Sequence, residues 1–261
     1  MSYRNVVYNN RDQCINLFTW DKDGNRVMHT CSFEPYLYIE DNRGDKTSIY
    51  GTKVKKKKFN NRFNRSRFLS DSGIKRVFEN APPQQQFLLD LYWQENEKPE
   101  FNTHPLRVCL IDIETYSPDS FPDVDNPNHV VNVITCYDNF TKKFHTFGIK
   151  PYTGKGRPDL NYVHCRDERD MFIKFLEYLE SDYPDILSGW NSEFFDIPYI
   201  VGRIEHILGQ EYVNRLSPLG RVYSRLIRGQ FGREQKRFYI EGVACLDYLD
   251  VYKRFCLKLR E

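Results

Sequence analysis

Within the 261 residues no apolar run approaches the roughly 20 needed to cross a bilayer, and the polar start Met1–Asn10 has no apolar signal core behind it. These absences exclude membrane-spanning and secreted readings and predict a cytoplasmic protein. Paired cysteines are missing as well. Cys14, Cys31, Cys109, Cys136, Cys165, Cys245 and Cys256 are odd in number and scattered, with no Cys-x-x-Cys pair, which excludes a disulfide framework and a zinc ribbon and predicts reduced thiols. Nor does one sign of charge dominate: 38 Lys and Arg against 36 Asp and Glu leave +2, so attraction to a polyanion depends on where the charges sit. Internal repeats are absent. The six histidines show no metal-ligand spacing, which leaves an imidazole base unsupported, and Gly154-Lys155-Gly156 lacks the rest of a phosphate-binding loop.

What is present is apolar and aromatic side chain: 40% of residues are hydrophobic, with 19 Phe and 18 Tyr, too much for a disordered chain. The first hundred residues read as short strands at Asn5–Tyr8, Cys14–Trp20 and Phe33–Ile39, separated by turn residues such as Asp21-Lys-Asp-Gly24. Between Lys53 and Phe78, ten Lys and Arg face a single acid, Asp71, a local net charge of +9. Phe59, Phe63 and Phe68 are interleaved with these cations. Composition admits two readings: a surface that holds phosphates and stacks bases, or a solvated basic loop anchored by its phenylalanines. Pro82-Pro83, the Gln84–Gln86 tract, Pro99 and Pro105 suggest a connection, with one domain at 1–104 and a second at 105–261.

The second domain is more regular. Val108–Ile113, Val130–Tyr137 and Phe144–Ile149 read as strands; 167–182 reads as an amphipathic helix capped by Asp167. A short buried strand at Ile186–Leu187 and a helix over about Ile197–Leu208 follow. Strand, strand, strand, helix, strand, helix is the order of a mixed-sheet α/β domain. Asp112 and Glu114 project to one face of the first strand, and two adjacent acids suit a hard divalent cation; the alternative is a strand edge meeting water. Asp196, at the start of the second helix, is on its own an ordinary N-cap. Taken together, the strand's two acids and a third from a separate element are the set that could hold two divalent ions and cleave a phosphodiester.

Ile111-Asp-Ile-Glu-Thr115, Ser117-Pro-Asp-Ser-Phe-Pro122 and Ile134-Thr-Cys-Tyr-Asp138 resemble the first exonuclease motif of family B replicative DNA polymerases of tailed phages. Ser188-Gly-Trp-Asn191 through Phe195-Asp196-Ile-Pro-Tyr199, Leu216-Ser-Pro218 and Gly242-Val through Leu246-Asp-Tyr-Leu-Asp250-Val-Tyr-Lys253 resemble later segments of the same proteins. The likeness is strong over 105–255 and thinner before. It implies a ribonuclease-H-like mixed-sheet exonuclease domain preceded by a smaller β-rich α+β domain that binds nucleic acid.

From the resemblance, Asp112 would bridge two metal ions, Mg²⁺ or Mn²⁺, Glu114 would ligate one, and Asp196 would complete the cage. Asn191 and Phe195 would touch the terminal nucleotides of a frayed primer, and Gln230–Gly242, turning at Gly232, would be the hairpin that parts primer from template. The basic segment, through Lys55, Lys56, Lys57, Lys58, Arg62, Arg65 and Arg67, would contact template strand or RNA. One motif of the family, Tyr-x-x-x-Asp, does not follow Asp196, and Asp247 and Asp250 align with a structural stretch and are not taken as ligands. The polymerase region is absent as well. The expectation is therefore proofreading hydrolysis of 3′ ends, weak without the missing acid, no polymerase activity, and partnership with a polymerase-domain chain or a further carboxyl-terminal part. A non-catalytic DNA- or RNA-binding subunit of a split polymerase is the alternative.

Overall fold

In the computed structural model, residues 3–73, 76–95, 105–118, 120–228 and 234–256 are described. The chain divides into two compact units, residues 1–105 and 106–261. Lys75, Asp119 and the Gly232 turn of the expected hairpin lie outside the described residues. Among those described, no helix is long and apolar enough to cross a membrane.

The first unit begins with a three-stranded antiparallel sheet, β1 (Asn5–Asn9), β2 (Cys14–Trp20) and β3 (Arg26–Ser32). Asp21 turns the chain between β2 and β3 by accepting from the amides of Asp23 and Asn25, and Gly24 takes the positive φ of 83° that the turn requires. Strand β3 has no clean alternation of its own; its pairing with β2 makes it a strand. A second sheet, ordered β5-β6-β4-β7, is built from β4 (Tyr36–Glu40), β5 (Lys46–Thr47), β6 (Lys53–Lys58) and β7 (Val77–Phe78).

Two helices correct the linear reading of this unit. The basic segment is no loop: it forms β6 and then α1 (Arg62–Asp71), capped by the Asn61 side chain on the amide of Asn64. The proline- and glutamine-rich stretch that suggests a connection contains α2 (Pro83–Glu95). Pro83 opens it at the first helical position, where a missing N–H costs nothing. Gln86 is fully buried: Nε2 donates to the carbonyls of Tyr36 and Glu79, and Oε1 accepts from the Tyr36 amide. A buried amide with its hydrogen bonds made is a structural tie.

In the second unit β8 (Val108–Thr115), β9 (Val131–Asp138), β10 (Lys143–Gly148), β11 (Leu160–His164), β12 (Ile186–Gly189) and β15 (Ala244–Asp247) form a six-stranded mixed sheet ordered β11-β10-β9-β8-β12-β15. Strands β8, β9 and β10 are antiparallel neighbours, whereas β12 runs parallel to both β8 and β15. Helix α3 (Glu168–Ser181) starts at the Asp167 cap and buries Met171, Phe172, Phe175 and Leu176. Helix α4 (Asp196–Leu208) contributes Tyr199, Ile200 and Ile204 to the same core, each such side chain stabilising by about 1.5–3 kcal/mol. A short α5 (Gln210–Asn214), the antiparallel pair β13 (Val222–Arg228) and β14 (Glu234–Ile240), and α6 (Tyr248–Phe255) complete the unit.

A buried ion pair fixes the segment that precedes β9. Arg203 of α4 binds Glu168 of α3 through Nε at 2.9 Å and also through Nη2, while Nη1 donates to the carbonyl of Pro127. Glu168 in turn accepts from the Val131 amide, and the Tyr199 hydroxyl donates to the carbonyl of His129.

Candidate functional site

Two parallel neighbours, β8 and β12, end at the same edge of the sheet, where sites gather in α/β folds. Along β8 the cysteine and isoleucines at 109, 111 and 113 are buried, so Asp112 and Glu114 both stand on the exposed face. Strand β12 leaves through Gly189. A Cβ there would lie 2.5 Å from the carbonyl oxygen of Ile111, so the close approach of the two strands excludes a side chain. The loop that follows is clamped by Asp247: Oδ1 accepts from the Asn191 amide at 2.9 Å and Oδ2 from the Glu193 amide at 3.2 Å. Oδ1 also caps α6 at the Leu249 amide.

Asp196 is not the cap of its helix. Phe195 holds that position, and the Asp196 carboxylate crosses to β8, where Oδ1 accepts from the Ile113 amide at 3.0 Å. The side chain is 4% exposed. Burial pushes its carboxyl up to about 6; the Ile113 hydrogen bond opposes the shift, and the neighbouring charges of Asp112 and Asp247 add to it.

Asp112 and Asp196 line one cavity of about 1050 Å³. Its walls come from the segment around Phe121 and Asp123, the loop carrying Trp190, Asn191 and Phe195, Ile227 and Gln235 of the hairpin, and Asp250 and Lys253 of α6. Glu114 sits one pleat further along β8 and is not among the lining residues. Among the described residues no three His, Cys, Asp or Glu side chains form a ready metal cage. The like charges of Asp112 and Asp196, and the raised pKa of the Asp196 carboxyl, are what a hard divalent cation would offset. Among the described residues a complete two-ion cage is not assembled.

Four lining residues escape a linear reading. Asp250 and Lys253, three apart on α6, face the cavity together because β15 sets that helix beside β12. Phe121 and Phe195 bring their rings to 5.5 Å, and Phe195 stacks on Tyr199. Trp190 is exposed and lies 5.7 Å from the ring of Tyr252. The signal for α6 was its helical spacing of acid and lysine; Phe121 stands in the Ser117–Pro122 stretch that carries the resemblance, which gives its ring no role by itself.

In the first unit the basic residues do not share a face. Lys55 and Lys57 stand opposite Ile39 and Leu37, and Lys56 and Lys58 opposite Tyr38 and Tyr36, so alternate lysines leave β6 in opposite directions. Lys56 lies 3.5 Å above the Tyr36 ring and pairs with Asp90; Lys58 pairs with Glu34. Arg62 and Arg67 are exposed on α1 beside the exposed Phe63, while Phe59 and Phe68 pack together at 5.3 Å. Arg65 differs from its neighbours: it is buried, and its guanidinium donates to the carbonyl of Ala81 and to Gln86 Oε1.

The profile described as DNA polymerase family B, exonuclease domain, matches residues 59–260. The DNA-directed DNA polymerase of Enterobacteria phage T4 is 34% identical over 174 residues, 58% of this chain and 19% of the phage protein. That of Escherichia phage RB69 is 28% identical over 269 residues, covering 90% of this chain and 29% of its own length. DNA polymerase beta of African swine fever virus is 32% identical over 117 residues, 42% of this chain and 10% of the viral protein. The chain thus spans less than a third of these relatives.

Proposed function

The chain belongs to the exonuclease-domain family of family B DNA polymerases, and we propose that it is the amino-terminal and proofreading part of a DNA-directed DNA polymerase, removing 3′-terminal nucleotides from single-stranded or frayed DNA. The observation that carries this reading is the meeting of Asp112 and Asp196, from two distant stretches, in one cavity bordered by a hairpin and exposed rings. A ribonuclease-H-like fold is the finer structural reading, with which the six-stranded mixed sheet is compatible.

Asp112 and Asp196 would hold one Mg²⁺ or Mn²⁺ ion, and Glu114 would join a second only once a further ligand completes the site; divalent ions bound there would polarise the phosphodiester and lower the pKa of the attacking water. The remaining work falls to this chain's own groups. Lys253, an exposed cation on the cavity wall, is suited to a phosphate oxygen that gains charge. The Asn191 side-chain amide can hydrogen-bond a terminal base, and Phe195 with Phe121 can stack on it. Single-stranded DNA and primer-template are the proposed ligands, a polymerase-domain chain or further carboxyl-terminal part the proposed partner, and the host cytoplasm the proposed location.

A second reading is favoured by one observation, the lack of a three-ligand cage among the described residues. It makes the chain a non-catalytic DNA- or RNA-binding subunit that works through Lys55, Lys57, Arg62 and Arg67. The two readings separate on a 5′-labelled oligonucleotide with Mg²⁺. Stepwise shortening from the 3′ end, lost in Asp112→Ala and indifferent to the lysines, supports hydrolysis. Salt-dependent binding without shortening, lost when the cations are neutralised, supports the alternative.

A further inference from the structure

The hairpin stands between β8 with its acid Asp112 and helix α4, and it borders two cavities. Ile227 and Gln235, opposite each other in the ladder, line the cavity shared by Asp112 and Asp196. Residues two apart in a strand share a face, so the pairs Arg225–Arg237 and Tyr223–Tyr239 follow on that side. Leu226, Lys236 and Phe238 alternate to the other side and wall a second cavity of about 740 Å³ against Pro198 and Gly202 of α4. The hairpin borders both spaces, and Gln235 lines each of them.

Arginines directly opposite across a ladder repel each other. Arg225 is accommodated over the rings of Tyr223 and Tyr239, 5.3 and 5.4 Å from their centres. Arg237 instead forms an ion pair with Glu193. Glu193 is 2% exposed and lies in the site loop, between Asn191 and Phe195, with its own amide on Asp247. A carboxylate removed from water is costly to leave without its cation. The pair therefore favours a single arrangement in which loop and hairpin are seated together.

Resting on the function proposed above, we infer that the Glu193–Arg237 ion pair is a positioning device that seats the hairpin on the site loop and so sets how strongly the cavity prefers a single-stranded 3′ end to a paired one. A single strand enters beside the hairpin as it stands. A paired end requires the hairpin to shift, and the shift separates a buried charge from its partner.

Arg237→Ala, Arg237→Lys and Glu193→Gln test this in two measurements on the whole chain. Amide hydrogen exchange reads the ion pair without ligand: in Arg237→Ala the β14 amides and those of Asn191 and Glu193 exchange roughly tenfold faster together, β8 and β9 are unchanged, and the lysine variant stays near wild type. Anisotropy of a fluorescent oligonucleotide without divalent ions reads selectivity. The ratio of affinities for single-stranded and fully paired ends falls roughly tenfold in Arg237→Ala and in Glu193→Gln, with single-strand affinity within about twofold of wild type, and returns in Arg237→Lys. Parallel loss of both affinities, an unmoved ratio, or exchange that rises in the hairpin alone overturns the inference. Failure of the underlying function looks different: a wild-type chain indifferent to strandedness whose exchange still couples loop to hairpin, which removes the selectivity claim and leaves the seating.

Discussion

The Ile113 amide donates to Oδ1 of Asp196, so the acid that opens α4 is bound to the very strand that displays Asp112. That bond keeps a buried carboxylate beside a second negative charge, and the raised pKa follows from burial first and the neighbours after it.

The consequence for stability has a definite sign. Asp196 moves from an ordinary 3.8 to about 6 on folding. Below the unfolded value both states are protonated and no penalty exists; as pH rises through the folded value the unfolded state ionises more readily and stability falls. Metal-free protein should lose about 2–3 kcal/mol from this group between about pH 4 and pH 7. Asp196→Asn keeps an oxygen for the Ile113 amide and removes the charge, so its melting temperature at pH 7 should exceed that of the wild type. Added Mg²⁺ should raise the wild-type melting temperature and leave that of the variant alone. Equal pH profiles for the two proteins would contradict the assignment.

A larger loss is expected at Arg203, far from any proposed chemistry. Its guanidinium is buried with Glu168 and holds the carbonyl of Pro127. Arg203→Ala leaves the Glu168 carboxylate without its cation and should cost about 3–5 kcal/mol in urea unfolding of the second unit. The double variant Arg203→Met, Glu168→Leu should recover much of that loss, because neither charge then remains to be buried. A double variant as unstable as the single one would show that packing, not charge, dominates there.

How far the sequence reveals this arrangement depends on the range of each signal. Helices α3 and α4 were legible because their apolar residues repeat at helical spacing, and β8 because Ile111 and Ile113 alternate with Asp112 and Glu114. Helix α2 was not, since Gln86 reads as polar linker until its side chain is seen bonded to Tyr36 across fifty positions. The place of Lys253 was hidden for a related reason: only the parallel pairing of β15 with β12 brings α6 to the cavity. A run of four lysines reads as one patch, whereas strand alternation divides it between two faces.

Within the basic segment, burial divides the arginines into two classes with opposite expected behaviour. Arg65→Ala removes a buried donor to Ala81 and Gln86 and should destabilise the first unit by about 1–3 kcal/mol. Arg62→Gln and Arg67→Gln, on the exposed side of α1, should leave unfolding within about 0.5 kcal/mol of wild type. Each should lower the slope of log affinity against log salt for a single-stranded oligonucleotide by about 0.7 if it contacts a phosphate. A slope change in Arg65→Ala at intact stability would reverse these roles.

Phe121 offers the most direct test of base stacking. Its ring is 83% exposed and reaches the half-buried Phe195 ring at 5.5 Å on the wall that Asp112 and Asp196 share, so its truncation removes little folding energy and mainly one stacking surface. Stacking of one base on an aromatic ring is worth about 1–3 kcal/mol, so Phe121→Ala should weaken binding of a single-stranded 3′ end by roughly tenfold or more without altering its salt slope. Phe121→Tyr should restore affinity because the ring face is kept. Loss in both variants would point to packing against Phe195, and an unchanged affinity in Phe121→Ala would place the terminal base elsewhere in the cavity. The salt slope separates this ring from the cations: phosphate contacts move the slope, and a stacking contact moves the intercept alone.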